Sequence, residues 1–371
     1  MKKRYLILGE VVIIVIIGIS LYTSSRSVSS TVNTPIPIGG AFALTGDVAT
    51  YGESDKDGSQ MAIDDINAAG GVDGRMLKLI SEDTKSTAKD TVTAFTKLES
   101  IDGAKYFIVS FLDSYPGAES LVKPDELLIS PDAAVEAMNG KVAHPNVFGT
   151  FYRTQPKSEL AIRHMAEKGT KKLYMIAGND AYYASALGYM KDAAAAYGVE
   201  IVGTDLLGPH QSVQSILPKV KESGADALFF SVLDKEEFVD FLKHKDGFIK
   251  GVAFYTDEGA TAYLTPDYVS YMEGAYFYTN VDAPKPFLDA FKAKFGHDPE
   301  ITASVSYDSI KIMAQAMKDQ PSDVSSYMRS HTFDTISYGK VTFDALGGIQ
   351  TDAKYFVMKQ VQNGKPIAVY Q

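Results

Sequence analysis

Ser114, in FLDSYPG, and Glu258, in FYTDEGATA, are the residues whose type and setting best suit polar chemistry. Each follows a short apolar run that reads as a strand, so each stands where a strand gives way to a loop. A serine at a helix start can cap the helix, and the same hydroxyl can face an anion beside free backbone N–H groups. By residue type alone Ser114 reads first as a plain cap. Glu258, with Asp257 beside it, reads either as a solvated acidic loop or as the partner of a cation. In a closed, dry cleft such a charge-assisted hydrogen bond contributes ~1.5–3 kcal/mol. Residues for covalent chemistry are missing. The chain has no cysteine, which removes thiol nucleophiles, thiolate metal sites and disulfides together. Its six histidines are scattered without H-E-x-x-H spacing. Gly39, Gly40 and Gly46 do not make a G-x-G-x-x-G turn, no P-loop lysine follows Gly46, and no G-x-S-x-G elbow occurs. Asp64 and Asp65 are adjacent on a helix, which makes a solvated face and not a pair across a cleft. These residues point to binding without catalysis, and no cofactor or metal is expected.

The elements that must hold these residues alternate along the chain. Residues 36–83 read as a strand, a Gly-rich turn, a helix from about Lys56 to Ala69 and a second strand. This is a βαβ unit whose turn opens at the carboxyl end of a strand, where open α/β sheets bind ligands. Met61, Ala62, Ile66 and Ala69 form the apolar stripe of the helix, and Gly70-Gly71 ends it. A helix over 91–98 and short strands at 106–109, 127–129 and 147–151 continue the pattern, which predicts a parallel sheet covered on both faces. After Arg153 the alternation restarts and runs to a strand at 252–255, giving a second lobe of the same type. Pro218, inside a helix expected over 213–223, must lie near its first turn or kink it. Residues 275–279 read as a return crossover. Phe287, Phe291 and Phe295 line a helix ended by Gly296, and a further helix covers 304–317. Strands follow at 339–343 and 355–360, with Asn363-Gly364 as a hairpin turn.

The chain has 371 residues, more than one core usually supports, since cores stop growing near ~250–300 residues; two lobes are expected. A net charge of -10 leaves no basic surplus to neutralise phosphates, so nucleic acid is not an expected partner. MKKR opens the sequence and an apolar run follows, with Val11–Leu21 as its clean stretch. That length fits the apolar region of a secretory signal, and the wider run from Tyr5 to Tyr22 approaches the ~20 residues of a spanning helix. Residues 1–22 therefore read either as a signal peptide or as an uncleaved membrane anchor, with the basic cluster inside and the rest outside. Residues 23–35, TSSRSVSSTVNTP, are a Ser/Thr-rich linker.

Six segments in order carry a resemblance to a known family: LTGDVATYGESDKDG, AIDDINAAGGVDGRMLKLISED, VFGTFYRTQP, SILPKVKESGADALFF, FKAKFGHDPEITASVSYDSIKIMAQAM and YGKVTFDALGG. From Ile36 to the C-terminus the chain resembles the substrate-binding proteins of branched-chain amino-acid ABC transporters. The resemblance implies two doubly wound α/β lobes joined by three crossovers, the type I periplasmic-binding-protein fold, behind the N-terminal hydrophobic segment. The crossings are expected near 151–154, 279–281 and 338–340. Lobe 1 would then combine 36–150 with 281–338, and lobe 2 would combine 151–280 with 339–371. It further implies an extracytoplasmic, non-enzymatic carrier that closes on a small amino acid by hinge motion and delivers it to an ABC permease. An amide or urea binder and a ligand-sensing ectodomain are the alternatives on the same fold.

The resemblance also implies a site. Ser114 and neighbouring N–H groups match the carboxylate-binding turn of the family, and Glu258 matches the acidic residue that pairs with the ligand ammonium. Tyr51 and Tyr183 match aromatic walls from opposite lobes, and an aromatic face also suits an ammonium. Ala43 and Leu44 are expected to line the first-lobe side. Two places depart from the pattern. In SPDAA, residues 130–134, Ala134 stands where a threonine is common, and Asp132, before Ala133, brings a carboxylate where the family is usually small. Leu233 stands where an aromatic residue is common. Leu233 implies a more aliphatic or wider pocket on that side, while Asp132 and Ala134 disfavour a bound carboxylate or favour a cationic group on the ligand.

Overall fold

The computed structural model describes residues 34–133, 144–208, 211–350 and 353–371. Residues 1–22, Ala134 and nearly all of the expected linker lie outside the described residues. The first sheet is built from β1 (Ile36–Phe42), β2 (Leu77–Asp83), β3 (Tyr106–Val109), β4 (Leu127–Ser130) and β5 (Val147–Gly149). All its pairings are parallel and the order is β2-β1-β3-β4-β5. Helix α1 (Ala49–Ala68) joins β1 to β2, and α2 (Ala88–Ser100) joins β2 to β3. Covering on both faces explains why β3 and β4 are short unbroken apolar runs, with Phe107–Val109 and Leu127–Ile129 all buried.

The chain then passes into α3 (Thr154–Glu167), β6 (Lys172–Gly178), α4 (Ala181–Tyr197), β7 (Glu200–Leu207), α5 (Leu217–Glu222), β8 (Ala227–Ser231), α6 (Lys235–His244), β9 (Ala253–Thr256) and β10 (Tyr276–Asn280). Helices α7 (Lys285–Phe295), α8 (Ile301–Asp319) and α9 (Val324–Ser330) follow, then β11 (Phe333–Thr335), β12 (Gly339–Phe343) and β13 (Ile349–Gln350). The hairpin β14 (Phe356–Gln362) and β15 (Lys365–Tyr370) ends the fold. Its turn holds Asn363 and Gly364 at φ 52° and 71°, as a tight two-residue hairpin requires. The second sheet runs β15-β14-β10-β9-β8-β6-β7. Its parallel part, read from β7 to β10, repeats the 2-1-3-4-5 order of the first sheet. Both halves of the chain therefore have a topological switch point, where strand order reverses and a crevice opens at the strands' carboxyl ends.

Three expectations shift. Helix α1 begins at Ala49 and not at Lys56. Gly52 and the polar run after it hide the helical period, yet Gly52 is what lets the helix start there: a Cβ on it would lie 2.1 Å from the Ala43 carbonyl oxygen. The turn before it is fixed by Asp83, whose Oδ1 accepts from the N–H groups of Leu44 and Thr45 at 3.0 and 3.2 Å. The helix expected over 213–223 splits into a 3₁₀ turn at Val213–Ser215 and α5, with Pro218 in the first turn of α5.

The boundary expected at 338/339 is corrected to a later point. Strand β12 pairs with β11 and β13, not with the second sheet. The Gly149 N–H donates to the Gly347 carbonyl at 2.9 Å, and the Phe148 and Phe343 rings meet edge to face. Residues up to 350 thus pack with the first sheet, and the chain joins the second at β14. Among the described residues no helix is long and apolar enough to cross a membrane.

Candidate functional site

A cavity of about 140 Å³ lies between the two lobes, walled by the loops that leave the carboxyl ends of the strands flanking both switch points. From the first lobe come Val48 and Tyr51 at the start of α1, Phe111, Asp113 and Ser114 after β3, and Asp132 after β4. From the second come Tyr182 and Tyr183 at the start of α4, Leu233 after β8, and Asp257, Glu258 and Tyr263 after β9. Local sequence sets these positions. Asp180 caps α4, accepting from the Tyr183 N–H at 2.9 Å, which holds the two tyrosines in the first turn. Asp257 caps the 3₁₀ helix at Glu258–Tyr263 through the Gly259 N–H at 3.0 Å. The lobes meet where Tyr51 Oη lies 3.3 Å from Thr261 Oγ1, and Thr261 Oγ1 in turn reaches Glu300 Oε2 at 3.4 Å.

Of the residues named from sequence, Tyr51, Ser114, Asp132, Tyr183, Leu233 and Glu258 line this cavity. Ala133 does not: it is fully buried in a first-lobe core cluster with Phe107, Val109 and Leu128. Ala43 packs with Val48 and Phe111 behind the wall, joined by Leu233 from the other lobe, and Leu44 packs against the main core. Ser114 caps no helix. The 3₁₀ turn there starts at Ala118, after Pro116 and a Gly117 at φ 128° that prevent an earlier start.

The electrostatics differ from the expected arrangement at both ends. Glu258 already has a cation. The ammonium of Lys157, on α3, is completely buried and donates to Glu258 Oε1 at 2.6 Å. It also reaches Tyr182 Oη at 3.0 Å and sits 3.9 Å from the centre of the Tyr152 ring, with Phe151, Tyr182 and Tyr278 at 5.1–5.3 Å. An internal lysine thus occupies an aromatic cage of the kind that recognises ammonium groups. Glu258 Oε2 lacks a hydrogen-bond partner, as do Asp132 Oδ2 and the hydroxyls of Tyr152 and Tyr278. Beside it, burial and then the Glu258 charge push the Asp257 carboxyl up to about 7.

At the first-lobe end Asp132 Oδ1 accepts the Phe111 N–H at 2.5 Å, with Phe111 in a left-handed conformation at φ 52°. The N–H groups of Ser114 and Tyr115 both turn back to the Phe111 carbonyl. Asp132 faces Asp55, itself fully buried and held by the hydroxyls of Ser110 and Ser306 at 2.6 and 3.1 Å. Burial, and then the Asp55 charge, hold the Asp132 carboxyl well above the usual carboxylate range. Sequence reasoning missed Lys157, Tyr182 and Asp55. Lys157 carries one faint signal, its place on the same α3 face as the buried Thr154, Ser158 and Ala161.

Two crevices facing each other across a hinge, with a solute-sized cavity between them, define a two-lobed binding protein of the type I periplasmic class. Residues 35–365 match the family model described as Periplasmic binding protein, and the chain belongs to that family. It is 24% identical over 320 residues to the Leu/Ile/Val/Thr-binding protein of Salmonella typhimurium, covering 83% of this chain and 87% of the relative. It is 26% identical over 351 residues to an amino acid binding protein of Pseudomonas aeruginosa, covering 89% and 91%. Among solved structures, it is similar to the branched-chain amino acid transporter substrate binding protein of Streptococcus pneumoniae in complex with isoleucine (TM-score 0.76, 23% identity, 91% of this chain and 100% of that one). The solute binding protein of an ABC transporter from R. palustris in complex with benzoate has the same fold (TM-score 0.76, 17% identity, 91% and 96%).

Proposed function

We propose that the chain is the extracytoplasmic solute-binding component of an ABC importer, capturing one small amine-bearing solute of amino-acid size between its lobes and presenting the closed form to a permease. The N-terminal hydrophobic segment serves as its export signal or its membrane tether. The observation that carries this reading is the cavity itself, which takes its walls from both lobes and holds buried carboxyls from each, Asp132 on one side and Asp257 and Glu258 on the other. A solute seated there touches both lobes at once and so favours the closed state. The names of the relatives support an amino acid or a near relative of one. Nothing in the arrangement requires covalent chemistry, and the reading assigns no enzymatic role. The sensor alternative shares the cavity and differs only in what reads its closure.

Thermal unfolding of the detergent-solubilised full-length chain tests it, against amino acids, amines, amides and small carboxylic acids. A solute at ~100 times its dissociation constant stabilises the fold by about 2.7 kcal/mol, a clear rise in melting temperature. No rise with any class refutes the reading, and so does chemical turnover of a bound solute.

A further inference from the structure

We propose that the cleft takes a small organic cation, a primary amine on an apolar body with no carboxylate, in preference to a zwitterionic amino acid. This rests on the solute-binding reading above and names the solute class.

The argument starts at the first-lobe end. A ligand carboxylate needs N–H or hydroxyl donors there. The Phe111 N–H is held by Asp132 Oδ1, and those of Ser114 and Tyr115 bond within their own turn. Asp132, 5% exposed, therefore occupies with its own carboxyl the seat that a ligand carboxylate would need, and Asp113, 6% exposed, stands beside it in the wall. A second carboxylate brought to this turn has to displace the Asp132 carboxyl from the Phe111 N–H, which selects against it.

The second-lobe end asks for a donor. Glu258 Oε1 is taken by Lys157 and Tyr182. Oε2, on a residue 7% exposed that lines the cavity, has no hydrogen-bond partner. A buried acceptor left unmade is costly, and an N–H group from a solute meets that need. The acceptors lining the cavity lean the same way, for Asp132 Oδ2 is a second buried carboxyl oxygen without a hydrogen-bond partner. Asp113, Asp132, Asp257 and Glu258 are buried carboxyls, while the lining lysine, Lys235, is exposed at the rim. The rest of the wall is apolar: Val48, Phe111, Val232, Leu233, Ala262 and Ile301. At about 140 Å³ the space compares with the ~150 Å³ cavity that admits benzene, so a body of roughly five carbons fits.

Leucine and its two single-group deletions separate the possibilities. Isothermal titration of the full-length protein with 3-methylbutylamine, L-leucine and 4-methylpentanoate should rank the amine first. Leucine should be weaker by at least about tenfold and the acid should show no binding. Asp132→Ala frees the Phe111 N–H and should narrow the amine-over-leucine preference at least about tenfold. Asp132→Asn, of the same shape, should narrow it in the same direction and serves if the alanine variant does not fold. Tighter binding of leucine than of the amine overturns the inference while leaving the solute-binding reading intact. An unchanged preference in folded Asp132 variants overturns it as well. Binding of none of the three overturns it too, and the wider panel then decides the solute-binding reading separately.

Discussion

Lys157→Met removes the ammonium from a site where its removal can be weighed. The lysine side chain is 0% exposed and the Glu258 side chain 9%, so solvent screens the 2.6 Å pair little. Taking away one partner of a buried pair leaves the other charge uncompensated and costs ~3–5 kcal/mol, whereas exposed pairs are worth under ~1 kcal/mol. The reciprocal change, Glu258→Gln, should cost less. The Tyr152 ring at 3.9 Å and the Phe151, Tyr182 and Tyr278 rings still hold the cation, each such contact being worth roughly 0.5–2 kcal/mol. The double variant carries no stranded charge, so it should be destabilised by less than the sum of the singles, with a coupling of about 2 kcal/mol or more. Urea unfolding of the four proteins, with similar slopes, measures this directly. A Lys157→Met cost under ~1 kcal/mol, or an additive double variant, refutes the claim that lysine and glutamate form a desolvated unit. The same single variant leaves Glu258 without a cation, so an amine solute should raise its melting temperature more than it raises that of the parent protein.

Asp257 holds its proton to about pH 7, far above an unfolded aspartate, and a carboxyl raised on folding makes stability fall as pH rises between the two values. The ligand-free protein should therefore be less stable at pH 8 than at pH 5 in urea titrations, and Asp257→Asn should flatten part of that slope; Asp308, pushed up to about 6 by burial, adds to it with the same sign. Amine affinity should rise across the same window as Asp257 ionises, and a flat calorimetric pH profile would contradict this. Gly52→Ala should destabilise by ~2 kcal/mol or more despite the better helix propensity of alanine, because its Cβ would lie 2.1 Å from the Ala43 oxygen; an unchanged urea midpoint would refute that close approach. Each buried methylene contributes ~0.8 kcal/mol, so 3-methylbutylamine, with three more carbons than ethylamine, should bind roughly 60-fold more tightly, and equal affinities would remove the apolar wall from the recognition.

The alternation of apolar runs with amphipathic stretches was enough to read two parallel α/β halves, because buried parallel strands carry their signal locally. The cavity residues were named through the family resemblance, and the fold explains why they converge. Tyr51, Ser114, Asp132, Tyr183, Leu233 and Glu258 all sit just past a strand's carboxyl end, and the doubly wound order brings those ends together. What was not legible depends on partners far along the chain. Lys157 in TQPKSEL looks like a solvent lysine until Glu258, 101 positions away, and rings from three other elements surround it. Asp55 in ESDKDGS looks like one more acidic surface residue, yet Ser110 and Ser306, 55 and 251 positions off, bury it. The start of α1 was obscured because Gly52 serves a close backbone approach and weakens the helical pattern that would announce it. The last boundary was misplaced because β12 has a strand's composition, and composition does not say which sheet it joins.

Each half of the site carries its own internal pairing before a solute arrives. Lys157, Glu258 and Tyr182 belong to the second lobe; Asp132, Asp55, Ser110 and Phe111 belong to the first. Opening the lobes breaks neither group. What opening does break includes the relay from Tyr51 through Thr261 to Glu300, whose 3.3 and 3.4 Å contacts are long and worth ~0.5–1.5 kcal/mol each at most. It also breaks the packing of Leu233 against Val48 and Phe111. Closure without solute is therefore weakly held, and a solute must supply the difference. Moving an equilibrium from mostly open to mostly closed takes about 5.5 kcal/mol of differential affinity. A single N–H bond to Glu258 Oε2 falls short of that, so most of it has to come from apolar surface buried between Leu233 on one lobe and Phe111 on the other. On the amine proposal, the occupied first-lobe turn excludes a carboxylate and the fit of the apolar body closes the cleft.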